Sequence, residues 1–371
     1  MLGLASTVSS SSTPESKYSL DFDGADDYVS LGASNSIMTT SQNEASLSVW
    51  IKATGAESDG KYIFQNQKTT GTTNFGLRIN SISGKAEALI WNGSSHCNPS
   101  STTDVTDGNW HHVVITGKAS EQKIYVDGSV EDTHSEAFSM IPSADDCTIG
   151  SINGASDFFN GKIDNVALWS VALDADAVEA IYNNGKPTNL TFDDGDNYDN
   201  SSALVAYYRM GNGSFDDKAN GVVHDQHASG FGAELVTNGN FAADSDWNKE
   251  EGWSISGGVA SFSGGTSNRH IGQDVGITSG KTYKIVYTVS SISAGEVAVR
   301  LGGMNGVSEI TATSTGTYTG YIAANSSANG DVFIEDNDNN FVGSISSVSV
   351  KQLNGLPALT SGDIPFTSDA P

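Results

Sequence analysis

Four aspartates crowd one early hairpin, YSLDFDGADDYVSLG (18–32): Asp21, Asp23, Asp26 and Asp27. A hard cation such as calcium takes several carboxylate and carbonyl oxygens, so this is the first place to expect a metal. The competing reading is that Asp26 and Asp27 close a turn through side-chain hydrogen bonds. FDDGDNYDN (192–200) and EDNDNN (335–340) are also oxygen-rich, but neither fits an EF-hand. After Asp336, Asp338 and Asn340 comes Phe341 where a glycine is required, and no glutamate closes the loop. Glu335, Asp336 and Asp338 read as a solvated loop. The seven histidines show no zinc-binding spacing. His111 and His112 are adjacent, so on a strand they face opposite sides and read as ordinary sheet residues. No Ser-His-Asp set can be assigned from the sequence.

Aromatic side chains supply the other chemistry, because an exposed ring offers a flat apolar platform to a sugar face. Trp91, in the turn-flanked LIWNGSS, and Trp247, in the polar SDWNKEEG, are the candidates for exposure and for ligand binding. Each also reads as a half-buried rim residue. Trp50, Trp110, Trp169 and Trp253 fall inside strand patterns and read as core.

The elements that would position these residues are mostly strands. In ASLSVWIKA (45–53), Leu47, Val49 and Ile51 alternate with Ser48, Trp50 and Lys52, the period of a strand with one face in a core. Asp107-Gly108 opens the β-rich run Trp110 to Thr116, and KIYVDGS (123–129) carries a hairpin signal at Asp127-Gly128. One helix is convincing: Asp174 can cap it, Val178, Ile181 and Tyr182 form its apolar stripe, and Gly185 ends it. Further on, Tyr283, Ile285, Tyr287 and Val289 alternate with Thr282, Lys284, Val286 and Thr288.

The chain has 371 residues, 41 of them Gly and only 7 Pro, enough for two domains with cores of their own. Its 18 Lys and Arg against 44 acids leave a net charge of −26, which argues against a nucleic-acid partner and against attraction to anionic membranes. No apolar run approaches a membrane-spanning length, so membrane insertion is not expected. The opening MLGLASTVSSSSTPESK has no basic region and does not read as a secretory signal. Cys97 and Cys147 form either a disulfide, if their strands adjoin, or two buried thiols.

Taken in order, YSLDFDGADDYVSLG, ASLSVWIKA, DGNWHHVVITG, KIYVDGS and GKIDNVALWSVALDADAVEAIYNNG (161–185) resemble the laminin-G-like, concanavalin A-like β-sandwich. The segments 234–265, 279–303, 316–336 and 341–353 resemble jelly-roll modules related to carbohydrate-binding families. The expected architecture is all-β: an N-terminal arm 1–17, a sandwich 18–231, a jelly roll 232–353 in tandem with it, and an extended tail 354–371. The first resemblance implies that the strand carrying Asp164 returns beside the first strand, which would let Asp21, Asp23 and Asp164 share a structural calcium. Related jelly rolls hold calcium through an Asp in the last strand, where this chain has Ser346 and Ser347. Concanavalin A-like sandwiches also include glycoside hydrolases with carboxylates paired on one strand. This chain has no Glu-x-Asp-x-x-Glu run.

The combination of an unsignalled start, a laminin-G-like module, the NGNFAADSDWNKEEGWSISGG segment and no enzyme domain is similar to virion proteins of tailed bacteriophages, marine ones in particular. That implies a non-enzymatic virion component, a capsid decoration or a fibre or appendage subunit, made in the host cytoplasm and released by lysis. Its partners would be other virion proteins and further copies of itself as a homo-oligomer, with host-surface glycan as a contact. A secreted or cell-surface glycan-binding adhesin and a glycan-active enzyme are the alternatives. Residues 1–17 and 354–371 carry too few apolar side chains for a core of their own, so Leu2, Leu4, Leu356, Ile364 and Phe366 are expected to dock on partner surfaces.

Overall fold

The computed structural model describes residues 16–33, 37, 42–55, 61–69, 72–91, 96–138, 140, 146–213, 216–227, 231–264, 269–279, 281–302, 309–324, 330–337, 339–354, 358–362 and 364–371. They fold into antiparallel sheets arranged as two compact units. One unit draws on residues up to 228 and again from 355 onward, and the other spans 229–354. Among the described residues no helix is long and apolar enough to cross a membrane.

The first unit is a sandwich. One sheet runs Ser129–His134, Glu121–Val126, Asp107–Lys118, Glu44–Thr54, Asn160–Trp169, Ser19–Asp23 and Phe366–Thr367, with Leu204–Tyr208 also paired to Asn160–Trp169. The other runs Val222–Val223, Ala358–Ser361, Tyr28–Ala33, Asp146–Ile149, Lys61–Thr69, Thr72–Ile79, Lys85–Trp91 and His96–Cys97. The alternation in 45–53 is realised: Leu47, Val49 and Ile51 are wholly buried in the inter-sheet core with Phe64, Phe75 and Val113. Each such side chain contributes about 1.5–3 kcal/mol on burial.

The outer face of the first sheet is covered as well. The helix Ala175–Tyr182 begins at Asp174, whose carboxylate accepts from Ala177 N at 2.9 Å, and turns off at Asn183, held in the left-handed region at φ 47°. Its Val178 and Ile181 pack on Val114, Tyr125, Trp169 and Tyr207, which form a second core. This explains the unbroken apolar run VALW (166–169) in Asn160–Trp169: both faces of that strand end are buried. Asp127 and Gly128, at φ 49° and 81°, make the two-residue hairpin turn that the sequence marks.

Two expectations are corrected. YSLDFDGADDYVSLG is not a hairpin, because Ser19–Asp23 lies in one sheet and Tyr28–Ala33 in the other, so the Gly24–Asp27 corner crosses between them. Nor do residues from 358 onward form an extended tail. Ala358–Ser361 pairs with both Val222–Val223 and Tyr28–Ala33, and Phe366–Thr367 pairs with Ser19–Asp23. Ile364 is buried in the inter-sheet core and Phe366 packs against it, so they are satisfied within the chain itself. Leu2, Leu4 and Leu356 lie outside the described residues. The second unit is therefore spliced between two paired strands of the first, where Val223 and Ala358 are register partners.

The second unit packs a six-stranded sheet, among the described residues, over a five-stranded one. Tyr283, Ile285, Tyr287 and Val289 all point into its core while Thr282, Lys284, Val286 and Thr288 stay half-buried. Glu335 and Asp336 correct the loop reading: both are buried in the strand Asp331–Asp336, where Glu335 pairs with Arg300 at 3.0 Å.

Candidate functional site

The corner between the two sheets of the first unit holds the carboxylates. Asp23 Oδ1 accepts from Ala25 N at 2.7 Å, and Asp27 Oδ2 accepts from Asp23 N at 2.9 Å, so each fixes the turn that presents the other. Gly24, at φ +79°, makes the tight corner possible, because a Cβ there would also meet Asn160 Cβ at 2.9 Å. The result brings one carboxylate oxygen each from Asp23, Asp26 and Asp27 within 4.8 Å of one another. Asp27 is buried, whereas Asp23 and Asp26 face solvent. These three could hold a divalent cation through oxygen ligands.

The trio borders a cleft of about 480 Å³ also lined by Asp21, Asn160, Gly362 and Pro365. Gly362, at φ +78°, belongs to the returning segment, and a Cβ there would meet Asp27 Oδ1 at 2.3 Å. The closeness of that backbone to the carboxylate is thus part of the site's shape. Asp21 stands at the edge of the cleft and is ion-paired to Lys162 at 2.6 Å.

Asp164 is not part of this site. Its strand does return beside the first, but the register sets Asp23 opposite Asn160, four residues away. At roughly 3.4 Å per residue that separates the two by about 14 Å. Asp164 is instead wholly buried: Ser16 Oγ donates to its Oδ2, Asn165 N donates to its Oδ1 at 2.7 Å, and Asn212 Nδ2 donates to Ser16 Oγ at 3.0 Å. Burial pushes its carboxyl up to about 8, against the pull of the hydrogen bonds from Ser16 and Asn165 and the charge of Arg209. It is a protonated structural hub at neutral pH.

Of the tryptophan candidates, Trp247 is corrected: it is buried, tilted against Phe241 at 5.3 Å, and its indole N–H donates to Asn238 O. Its polar sequence neighbours misled because the indole turns inward to close the second unit's core. Trp91 is half-buried, edge-on to His96 at 5.2 Å, and does not line the cleft. The tryptophan that sequence reasoning missed is Trp110, which is half-buried, not core. The usable signal is parity: Val113 and Ile115 point into the core, so Trp110, an odd number of residues from each, takes the outer face.

Among the described residues, two pairings resemble nucleophile and base, and both fail on electrostatics or access. Cys97 Sγ lies 3.3 Å from His134 Nδ1, whose Nε2 is 3.2 Å from Asp132. Burial, with the charges of Glu136 and Asp132 adding, pushes the Cys97 thiol up to about 11, the reverse of what a thiolate nucleophile needs. Ser48 Oγ lies 2.7 Å from His112 Nε2, but His112 is buried, stacked on Trp50 at 4.9 Å, with its basicity pushed down to about 3 by burial. Both cysteines are free thiols.

Residues 23–179, which include this corner, match the family model of the concanavalin A-like lectin/glucanases superfamily, of laminin G type. The fold of the first unit is thus concanavalin A-like. Among solved structures, a candidate carbohydrate-binding protein from Bacteroides ovatus is similar at 20% identity and a TM-score of 0.43, over 57% of this chain and 56% of that one. The CBM40 of the Ruminococcus gnavus IT-sialidase, bound to α2,3-sialyllactose, is similar at 17% identity and a TM-score of 0.38, over 45% and 96%. A heptameric SAP-like pentraxin from Limulus polyphemus is similar at 15% identity and a TM-score of 0.36, over 45% and 82%. The chain spans little more than half the length of the B. ovatus protein. No curated protein matches the sequence.

Proposed function

We propose that the chain is a non-enzymatic glycan-binding protein whose first unit takes sugar at the cleft beside Asp23, Asp26 and Asp27, with a calcium ion held by those three carboxylates. The observation that carries this reading is the convergence of three carboxylate oxygens within 4.8 Å on one wall of a 480 Å³ cleft. Calcium takes six to eight oxygens, so three carboxylates leave positions for paired sugar hydroxyls. Asp21, ion-paired to Lys162, and Asn160 add further polar groups to the cleft wall. The carboxylate-rich wall and the net charge of −26 disfavour nucleic acid as the ligand. The test is a glycan array probed with the full chain in millimolar calcium and again in excess chelator. Binding that disappears with chelator and in Asp26→Asn supports the reading, while binding indifferent to both, or none in either condition, contradicts it.

The finer reading is a virion component of a tailed bacteriophage, either a capsid decoration or a fibre or appendage subunit. It would assemble with other virion proteins or as a homo-oligomer, contact host-surface glycan, and reach the outside by lysis. What supports it is the combination of modules in the sequence and the acidic, lectin-like character of the chain. Mass spectrometry of particles purified from a lysate tests it: the chain at high copy number indicates the capsid, at low copy number the tail, and its absence excludes the reading.

A further inference from the structure

Four side chains form a straight row across the outer face of the first unit's sheet. Asp21 is the register partner of Lys162, Lys162 of Lys52, and Lys52 of Trp110. Two lysines directly opposite on neighbouring strands repel each other, so the pair needs counter-anions. Lys162 finds Asp21 at 2.6 Å, and Lys52 finds Asp369 at 2.9 Å, in the segment that follows Phe366–Thr367. The Asp369 carboxylate is received one oxygen at a time: Oδ2 takes Lys52 Nζ, and Oδ1 takes the indole N–H of Trp110 at 3.2 Å. Ser19 Oγ donates to the Asp369 backbone carbonyl at 2.6 Å. Burial alone would push Asp369 up, but the hydrogen bonds from Lys52 and Trp110 and the charges of Lys52 and Lys162 outweigh it and hold its carboxyl below the usual range. A cation and an indole N–H converging on the two oxygens of one carboxylate, in a chain with only 18 Lys and Arg, is a specific arrangement for an anion.

We propose that this row is a carboxylate-binding subsite for a sugar acid, a uronate or sialate, and that Asp369 occupies it in cis. The proposal rests on the glycan-binding reading above. Asp21 belongs both to the row and to the cleft, so a sugar held at the cleft can extend its carboxylate toward Lys52 and Trp110. The strand before Asp369 is anchored by the register pairs Ser19 with Thr367 and Leu20 with Phe366, by Asp21 N donating to Pro365 O at 3.1 Å and by the core contacts of Ile364 and Phe366, so exchange of Asp369 for a ligand carboxylate is confined to local opening of the residues after Thr367.

The experiment is calorimetric titration of the full chain with sodium glucuronate and with glucose. Asp369→Ala is expected to bind glucuronate roughly tenfold more tightly than the natural chain, a charge-assisted hydrogen bond's worth of competition, with glucose unchanged. Adding Lys52→Met to Asp369→Ala should erase that gain. Asp369→Asn, which keeps the hydrogen-bonding shape but not the charge, serves if the alanine variant fails to fold. Equal glucuronate affinity in all variants, or a gain for glucose as large as for glucuronate, overturns the subsite. A gain for glucuronate in a chain that binds no neutral glycan keeps the subsite and removes the cleft reading, while the reverse pattern removes only the subsite.

Discussion

Asp164 shows how far burial can change a residue that reads as a metal ligand. Its carboxyl titrates near 3.8 in the unfolded chain and near 8 in the folded one, so the folded state holds the proton more tightly. The stability it contributes is complete below about pH 4 and is lost as pH rises through about 8. His111 adds in the same direction, because its hydrogen bond to Asp127 raises its pKa above the ordinary 6.5 despite opposing burial. Urea midpoints are therefore expected to fall between pH 5 and pH 8, and Asp164→Asn, which keeps one oxygen to accept from Asn165 N and turns an uncharged amide N–H2 toward Ser16 Oγ, should flatten that slope. A natural chain equally stable at both pH values would contradict the protonated hub. In the sequence, Asp164 could be placed beside the first strand by resemblance, but a strand's neighbour is not its register, and an offset of four residues separates a ligand from a hub.

The elements of the core were legible because both sandwiches advertise them by alternation. Leu47, Val49 and Ile51 point inward as read, as do Tyr283, Ile285, Tyr287 and Val289, and the helix capped by Asp174 falls where its stripe places it. What escaped was short and long-range. Phe366–Thr367 is a two-residue strand whose partner lies at the other end of the sequence, too brief for any period to show. Trp110 escaped because strand content was read without parity. At this scale the glycine of the returning segment is the informative probe. Gly362→Ala adds both a left-handed strain and a methyl against Asp27, so it is expected to weaken calcium binding roughly tenfold or more, measured by calorimetry. Gly195→Ala is the control, having a similar φ of +81° but nothing within 4 Å of the added Cβ. Equal calcium affinity in the two variants would separate Gly362 from the site.

At the scale of the whole chain, the second unit enters and leaves between Val222–Val223 and Ala358–Ser361, which pair with each other. Because the first unit's core draws on Ala358 and Ile364, a truncation before 358 should destabilise it. Replacing 229–354 with a Gly/Ser linker of about six residues should instead leave it folded, as judged by near-ultraviolet circular dichroism. Collapse of the excised chain alongside survival of the truncated one would reverse that assignment. The most direct measurement of the central claim is calorimetric titration of calcium into the metal-free full chain, paired with glycan binding on the same sample. One calcium per chain, lost in Asp26→Asn together with glycan binding, is the expected result; glycan binding that persists at full strength without calcium and without Asp26 would contradict it.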